Sequence, residues 1–239
     1  LQIKKSQSAF SLIEVAIVLV VISILIIGSI KGSELIQKSK ISKAQSLTKN
    51  SPIKDLTNLT LWLESSSTLS FIKAEAEDYD ELTIEEQNYG KGSISKWYDR
   101  NPNPVTRNNA TNTNLSSKPK FDTNCINQVP CLRFSGSEYL EISNLINHSF
   151  DDYSIFIIER RLSNSAMPII GSDSNSSTNQ SIEIGYLNSN TIYWSQGNSS
   201  FQKEFSTNLL SLDSDNLHLF INGSNKSNIS DLKYYLNGQ

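Results

Sequence analysis

The chain has 239 residues and a formal charge of −3, with 37% hydrophobic and 19% charged residues. That length allows one membrane segment plus one sizeable all-β domain, and the near-balanced charge leaves no clustered basic face of the kind nucleic-acid binding calls for. His148 and His218 have no spacing for a metal pair and read as ordinary surface or strand residues, and the only two cysteines, Cys125 and Cys131, lie six positions apart.

From residue 10 to residue 30 the only charge is Glu14, and the run approaches the ~20 residues a membrane helix needs. Lys4 and Lys5 precede it, which places the N-terminus on the cytoplasmic side by the positive-inside tendency. A cleaved secretory signal carries its small-residue site after a shorter apolar core; here Ser8 and Ala9 come before the apolar run. A carboxylate at the head of such a run is costly and reads as functional, with an opposite charge to be found for it. Gly28 is the one residue of the segment that favours a local break. The helix continues past residue 30, where Ile36, Ile41, Ala44 and Leu47 fall within an arc of about 140°. That stripe could pack on the domain that follows. "Asn50-Ser-Pro52" ends the helix, because the residue before a proline disfavours helical backbone.

The segment "KKSQSAFSLIE" over residues 4–14 resembles the leader and cleavage junction of type IV prepilins and of the pseudopilins of type II secretion. The resemblance implies that a prepilin peptidase cuts between Ala9 and Phe10 and methylates the amine of Phe10. Glu14 then becomes the fifth mature residue, and its counter-charge is the Phe10 amine of a neighbouring subunit. The family usually has Gly where this chain has Ala9, and the helix-kinking Pro common in major pilins is missing. The implied partners are the peptidase, other pilin or pseudopilin subunits and an inner-membrane assembly platform. The implied location is the bacterial inner membrane, single-pass with a periplasmic C-terminal domain, then a surface or periplasmic filament.

Beyond residue 56 the pattern changes to short strands separated by Asn, Ser and Gly, as in a sandwich or jelly roll. Candidate strands are 59–63, 131–134, 139–142, 153–159, 182–186, 191–194, 217–221 and 232–236. Between residues 75 and 86 stand Glu75, Glu77, Asp78, Asp80, Glu81, Glu85 and Glu86. They read as a solvated insertion; calcium is a candidate ligand there, although the spacing is not that of an EF-hand loop. No other cofactor is expected.

"LTLWLE" (59–64), "ISKWYDRN" (94–101), Asn109-Ala110 and "CLRFSGSEYLEI" (131–142) resemble, in that order, the start of laminin G-like domains of the concanavalin A-like lectin/glucanase group. "YSIFII" (153–158) and "LKYYLNG" (232–238) fit later parts of that fold. The resemblance implies a jelly roll whose closing strands lie beyond residue 239, so the fold is expected to be incomplete at the C-terminus and the sequence a fragment. Trp62 and Trp97 read as core residues, whereas Trp194, beside Gln196, Gly197 and Asn198, is a candidate exposed aromatic for a ligand. Asp99 and Asn101 form a polar turn that could touch a cation or ligand, or bond only backbone. Glucanases need two carboxylates across a cleft. No E-x-D-x-x-E strand, Ser-His-Asp set, HExxH, P-loop or dinucleotide fingerprint stands out, so no catalytic residue is assigned. Cys125 and Cys131 enclose a turn-length loop that an oxidising periplasm would bridge; two free thiols are the alternative.

The expected fold class is α+β, with a long N-terminal helix followed by an antiparallel sandwich or jelly roll. The expected organisation is a leader at 1–9, the pilin helix at 10–50, a linker at 51–56 and the jelly roll at 57–239. The expected function is a filament-assembling, membrane-anchored subunit displaying a lectin-like domain for adhesion or secretion, with a glycan or cell-surface ligand and no nucleic acid. The alternative is a membrane-tethered glycan-binding protein or glycoside hydrolase on the same fold.

Overall fold

A computed structural model describes residues 11–67, 70–71, 93–143, 152–171, 182–196, 202–208, 210–223 and 232–239. The chain divides into two compact units, Leu1–Asn50 and Ser51–Gln239.

The first unit is built on one helix, α1 (Leu12–Lys49). Its 38 residues rise about 57 Å, roughly twice the ~30 Å hydrocarbon core of a bilayer. None of them is buried, and Leu12, Leu19, Leu25 and Ile27 each expose more than half of their surface. In water such a surface would collapse or aggregate; in lipid it costs nothing. Among the described residues α1 is the one helix long and apolar enough to cross a membrane. The Ser23 hydroxyl inside the apolar run donates to the Leu19 carbonyl at 2.7 Å, which satisfies it without water. The helix runs unbroken through Gly28, the one residue of the segment that favours a local break. Asn50 closes the helix by donating its N–H to the Ser46 carbonyl, and Ser51 then caps a 3-10 turn, Pro52–Asp55.

The second unit is β-rich. In chain order its strands are β1 (Lys96–Trp97), β2 (Ala110–Thr111), β3 (Lys120–Asp122), β4 (Cys131–Arg133), β5 (Glu141–Ile142), β6 (Tyr153–Arg160), β7 (Met167–Ile170), β8 (Ile182–Asn188), β9 (Thr191–Gln196), β10 (Gln202–Ser206), β11 (Asp215–Asn222) and β12 (Lys233–Leu236). They form sheets of order β1-β2-β5, β3-β4, β12-β11-β6 and β10-β9-β8-β7, and every pairing is antiparallel.

The two larger sheets share one hydrophobic core. Ile182, Ile184 and Tyr186 of β8 and Ile192 and Trp194 of β9 meet Phe220 of β11, Leu232, Leu236 of β12 and Leu210. Gly185 is required there, because a Cβ would fall 2.5 Å from the Met167 carbonyl oxygen on β7. Asn237 and Gly238, both at positive φ, make the two-residue turn after β12, across which Leu236 and Gln239 exchange both backbone hydrogen bonds.

Residues 59–63, expected as a strand, are not one. Their backbone groups bond Asp99, Arg100 and Asn101 in place of a ladder. Sequence reasoning also misses β7 and β10. β7 contains Pro168 at a register shift, which an edge strand tolerates, and β10 is polar, which protects an edge.

Cys125 and Cys131 are joined by a disulfide with Cα atoms 5.7 Å apart. The loop between them holds Asn127 and Gln128 at φ of 49° and 64°, a region that costs non-glycine residues energy. Replacing both cysteines by Ser should therefore lower stability by about 2 kcal/mol, the low end for short loops. Thermal unfolding of the detergent-solubilised chain would show it as a Tm reduced by several degrees; an unchanged Tm would mean that the bridge holds nothing.

Candidate functional site

The start of α1 is built around a serine and the glutamate three residues on. Ser11 is the N-cap, in extended conformation at φ −68° and ψ 142°. Its hydroxyl accepts from the Ile13 N–H at 3.4 Å, and its own N–H donates to Glu14 Oε2 at 2.8 Å. This reciprocal capping box satisfies N–H groups that a helix end leaves without partners. A carboxylate in the first turn also meets the positive end of the helix dipole. Sequence reasoning gives Glu14 only an intermolecular partner; the S-x-x-E spacing is the signal that finds the local one. Lys4, Lys5, Ala9 and Phe10 lie outside the described residues, and Ser11 is the residue directly after Phe10.

The residues expected to touch a ligand are placed inside the β unit. Asp99 is 3% exposed. Its Oδ1 accepts from the backbone N–H of Trp62 and of Asn101, both at 2.9 Å, and its Oδ2 from that of Asn108 at 2.9 Å. Asn101 is 1% exposed; its amide donates to the Leu59 carbonyl at 2.6 Å and to the Thr106 hydroxyl at 3.2 Å. Together they pin residues 59–62 to the loop 99–109, so their polar atoms hold backbone. Trp194 is fully buried, which corrects its reading as an exposed aromatic. Its ring packs edge-on against Phe220 at 5.4 Å and Tyr153 at 5.8 Å. The polar neighbours after it mislead because Ile192 and Trp194 both alternate inward on β9. Trp97 packs on Phe71 at 5.3 Å and donates its indole N–H to the Glu64 carbonyl. The acidic run 75–86, proposed above for calcium, and His148 lie outside the described residues. Among the described residues no group of three or more His, Cys, Asp or Glu is placed to hold a metal ion.

Between the two larger sheets lies a polar cluster that sequence reasoning misses. His218, read from sequence as an ordinary surface or strand residue, is fully buried on β11. Its Nε2 is 3.0 Å from Glu159 Oε1 on β6, and its Nδ1 is 2.9 Å from the Tyr234 hydroxyl on β12. The same carboxylate oxygen accepts from the Tyr186 hydroxyl of β8 at 2.8 Å and the Asn216 amide at 2.9 Å. Burial pushes the Glu159 carboxyl up, but hydrogen bonds from His218, Tyr186 and Asn216 hold it below the ordinary glutamate value. Burial first, and then the Glu159 charge, push Tyr186 and Tyr234 above the ordinary tyrosine range, so both keep the hydroxyl proton. The Arg161 guanidinium lies 4.0 Å from the centre of the Tyr186 ring and donates to the Ser189 and Ser165 carbonyls. One carboxylate oxygen thus ties strands of both sheets. The cluster is closed to solvent at His218, which suits it to holding the sheets together.

Residues 4–30 match the family described as the prokaryotic N-terminal methylation motif. Neither a curated protein nor a solved structure matches the chain. The match takes in Lys4, Lys5, Ala9 and Phe10, the Ser11–Glu14 capping box and the apolar run of α1 as far as residue 30. The chain therefore carries a type IV prepilin-like N-terminus on a membrane-anchoring helix, followed by an antiparallel β unit.

Proposed function

We propose that this chain is a pilin-like or pseudopilin-like subunit that is cut before Phe10, methylated there and assembled through α1 into a filament. The observation that carries the reading is the methylation motif over 4–30 running directly into one long helix, exposed throughout its apolar run to residue 30 and with Glu14 in its first turn. The partners in this reading are a prepilin peptidase, other pilin subunits and an inner-membrane platform. The β unit then faces the periplasm or the cell exterior.

The β unit is, in the same reading, a lectin-like jelly roll of the laminin G type that binds a glycan or a cell-surface ligand without chemistry. Two antiparallel sheets with a shared core support it, as does the engagement of Glu64, Glu159 and Glu183 in internal hydrogen bonds. Repetition of one weak site along a filament raises avidity by orders of magnitude through effective concentration. That is a physical reason to carry such a domain on an assembling helix.

The test is the N-terminus of the protein extracted from membranes. Intact mass and N-terminal sequencing should find a chain that starts at Phe10 and carries one extra methyl. A mature chain that retains Lys4 and Lys5 would refute the assignment.

A further inference from the structure

An antiparallel sheet with one face in water normally alternates apolar inward and polar outward. The sheet β12-β11-β6 departs from that pattern. Its outer face carries Phe156 and Ile158 of β6, Leu217, Leu219 and Ile221 of β11 and Tyr235 of β12. Phe156, Ile158 and Leu217 are 68%, 65% and 40% exposed. The six side chains together present an apolar patch on the order of 400 Å², the size that marks an interaction site. Five of them, with Gly238, line a shallow groove of about 240 Å³. Among these lining residues only Tyr235 brings a side-chain hydrogen-bonding group. A sugar is held by several placed polar groups, so the groove suits another apolar surface and not a glycan.

The register of the sheet makes this face complementary to itself. Phe156, Leu219 and Tyr235 lie opposite one another in one row across the three strands. On one side of that row stand Ile158 and Leu217, and on the other Ser154 and Ile221. The outward residues of β6 continue to Arg160 at one end, and Asp152 takes the matching place beyond the other, four positions from Phe156 in each direction. A second copy turned end for end about the Phe156–Leu219–Tyr235 row sets Leu217 against Ile221 and Arg160 against Asp152. Each of these contacts then occurs twice. A two-fold interface requires this, because one patch has to serve both partners.

We propose that the outer face of β12-β11-β6 is a two-fold contact with the same face of a second copy, formed between chains held in one membrane. The patch is about half of the ~800 Å² that each partner of a standard interface buries, so free β units would pair weakly. Anchoring by α1 confines the copies to one surface and raises their effective concentration, which lets a smaller contact suffice. Opposite charges at the rim fix the end-for-end register more than they add affinity. The proposal rests on anchoring by α1, and neither on cleavage at Phe10 nor on filament assembly.

The test is coupling between copies of full-length chain in its native membranes. In Tyr235→Cys the new thiol lies on the central row and faces its own copy across the two-fold, at about the ~10 Å that separates packed sheets. Cys125 and Cys131 are bridged, so they do not compete for reagent. A bifunctional maleimide of that span should give a covalent dimer at least ten-fold above that from Glu204→Cys, an exposed position on the other sheet. Adding Phe156→Lys or Ile158→Lys should lower the yield at least ten-fold. Adding Asp152→Lys, which sets a lysine against Arg160, should lower it several-fold. All three side chains are exposed, so the Tm of these variants should match the wild type and lost coupling would not be lost folding. Equal coupling at both cysteines, or a Tyr235→Cys yield that Phe156→Lys leaves unchanged, would overturn the proposal. So would a Tyr235→Cys thiol shielded from a monofunctional maleimide without dimer formation, which would give the face to a partner other than a second copy. A dimer of chains left uncut at Phe10 would count against the filament reading alone. Chains cut and methylated there that form no dimer would defeat the two-fold contact alone.

Discussion

Glu159→Ala will cost the β unit about 3–5 kcal/mol, because it takes the shared acceptor from several buried donors at about 1–3 kcal/mol each. The loss is large because three donors, from Tyr186, Asn216 and His218, converge on Glu159 Oε1. Without it each loses its short acceptor, and only longer contacts remain, from the Asn216 amide to the Ser214 carbonyl and between the Tyr186 hydroxyl and His218 Nε2, both at 3.3 Å. In a domain of this size each kcal/mol moves Tm by roughly 2–4 °C, so a Tm reduction of about 6–20 °C is expected for the detergent-solubilised chain. His218→Phe keeps the ring that stacks on Phe220 and Tyr234 and should cost less. Glu159→Leu combined with His218→Phe should recover part of the loss, since removing both partners leaves fewer orphaned groups. The pH dependence follows from the depressed carboxyl of Glu159. A folded value below the unfolded one stabilises the native state above the ordinary glutamate range of about 4.3. That contribution is lost as pH falls through this range toward the lower folded value. Glu159→Ala should therefore flatten the acid limb of the stability profile. A Glu159→Ala protein as stable as the wild type, with the same acid limb, would mean that the cluster contributes nothing.

Glu14→Ala is expected to leave membrane insertion and leader cleavage nearly intact and to reduce incorporation into filaments by at least two orders of magnitude. The size follows from the 3–5 kcal/mol cost of leaving one charge unpaired in a low-dielectric setting, here the Phe10 amine of a neighbour. Glu14→Gln separates this role from the local one. Gln at the third helical position still accepts from the Ser11 N–H and preserves the capping box, but it carries no charge. If the charge governs assembly, the Gln variant fails as the Ala variant does. If the cap governs it, Gln assembles and Ala does not. Counting sheared filaments against membrane-retained subunit measures both. Normal assembly of Glu14→Ala would remove Glu14 from the assembly mechanism altogether.

What the sequence determines by itself is local. The apolar run, the proline after Asn50 and the serine–glutamate spacing set α1 and both its ends, because caps, breakers and hydropathy act over a few residues. Alternation and turn residues likewise mark β6, β8, β9, β11 and β12. The edge strands β7 and β10 escape notice because an edge admits Pro168 and a polar strand, the features that argue against a strand elsewhere.

Tertiary structure alone decides which face of β6 and β11 turns inward. Apolar residues stand on both faces of these strands, so period 2 offers two registers that local pattern cannot rank. The fold buries Asn216, His218, Phe220 and Asn222 and leaves Phe156 and Ile158 on the outer face, 68% and 65% exposed. The polar choice is stable because Glu159, 59 residues before His218, arrives on the neighbouring strand with Tyr186 and Tyr234 positioned to complete the hydrogen bonds. Burial of Trp194 and the backbone clamp of Asp99 and Asn101 depend on the same kind of long-range partner. A buried polar group is favourable only when its partners are in place, and those partners are brought together by chain topology, which no short stretch of sequence encodes.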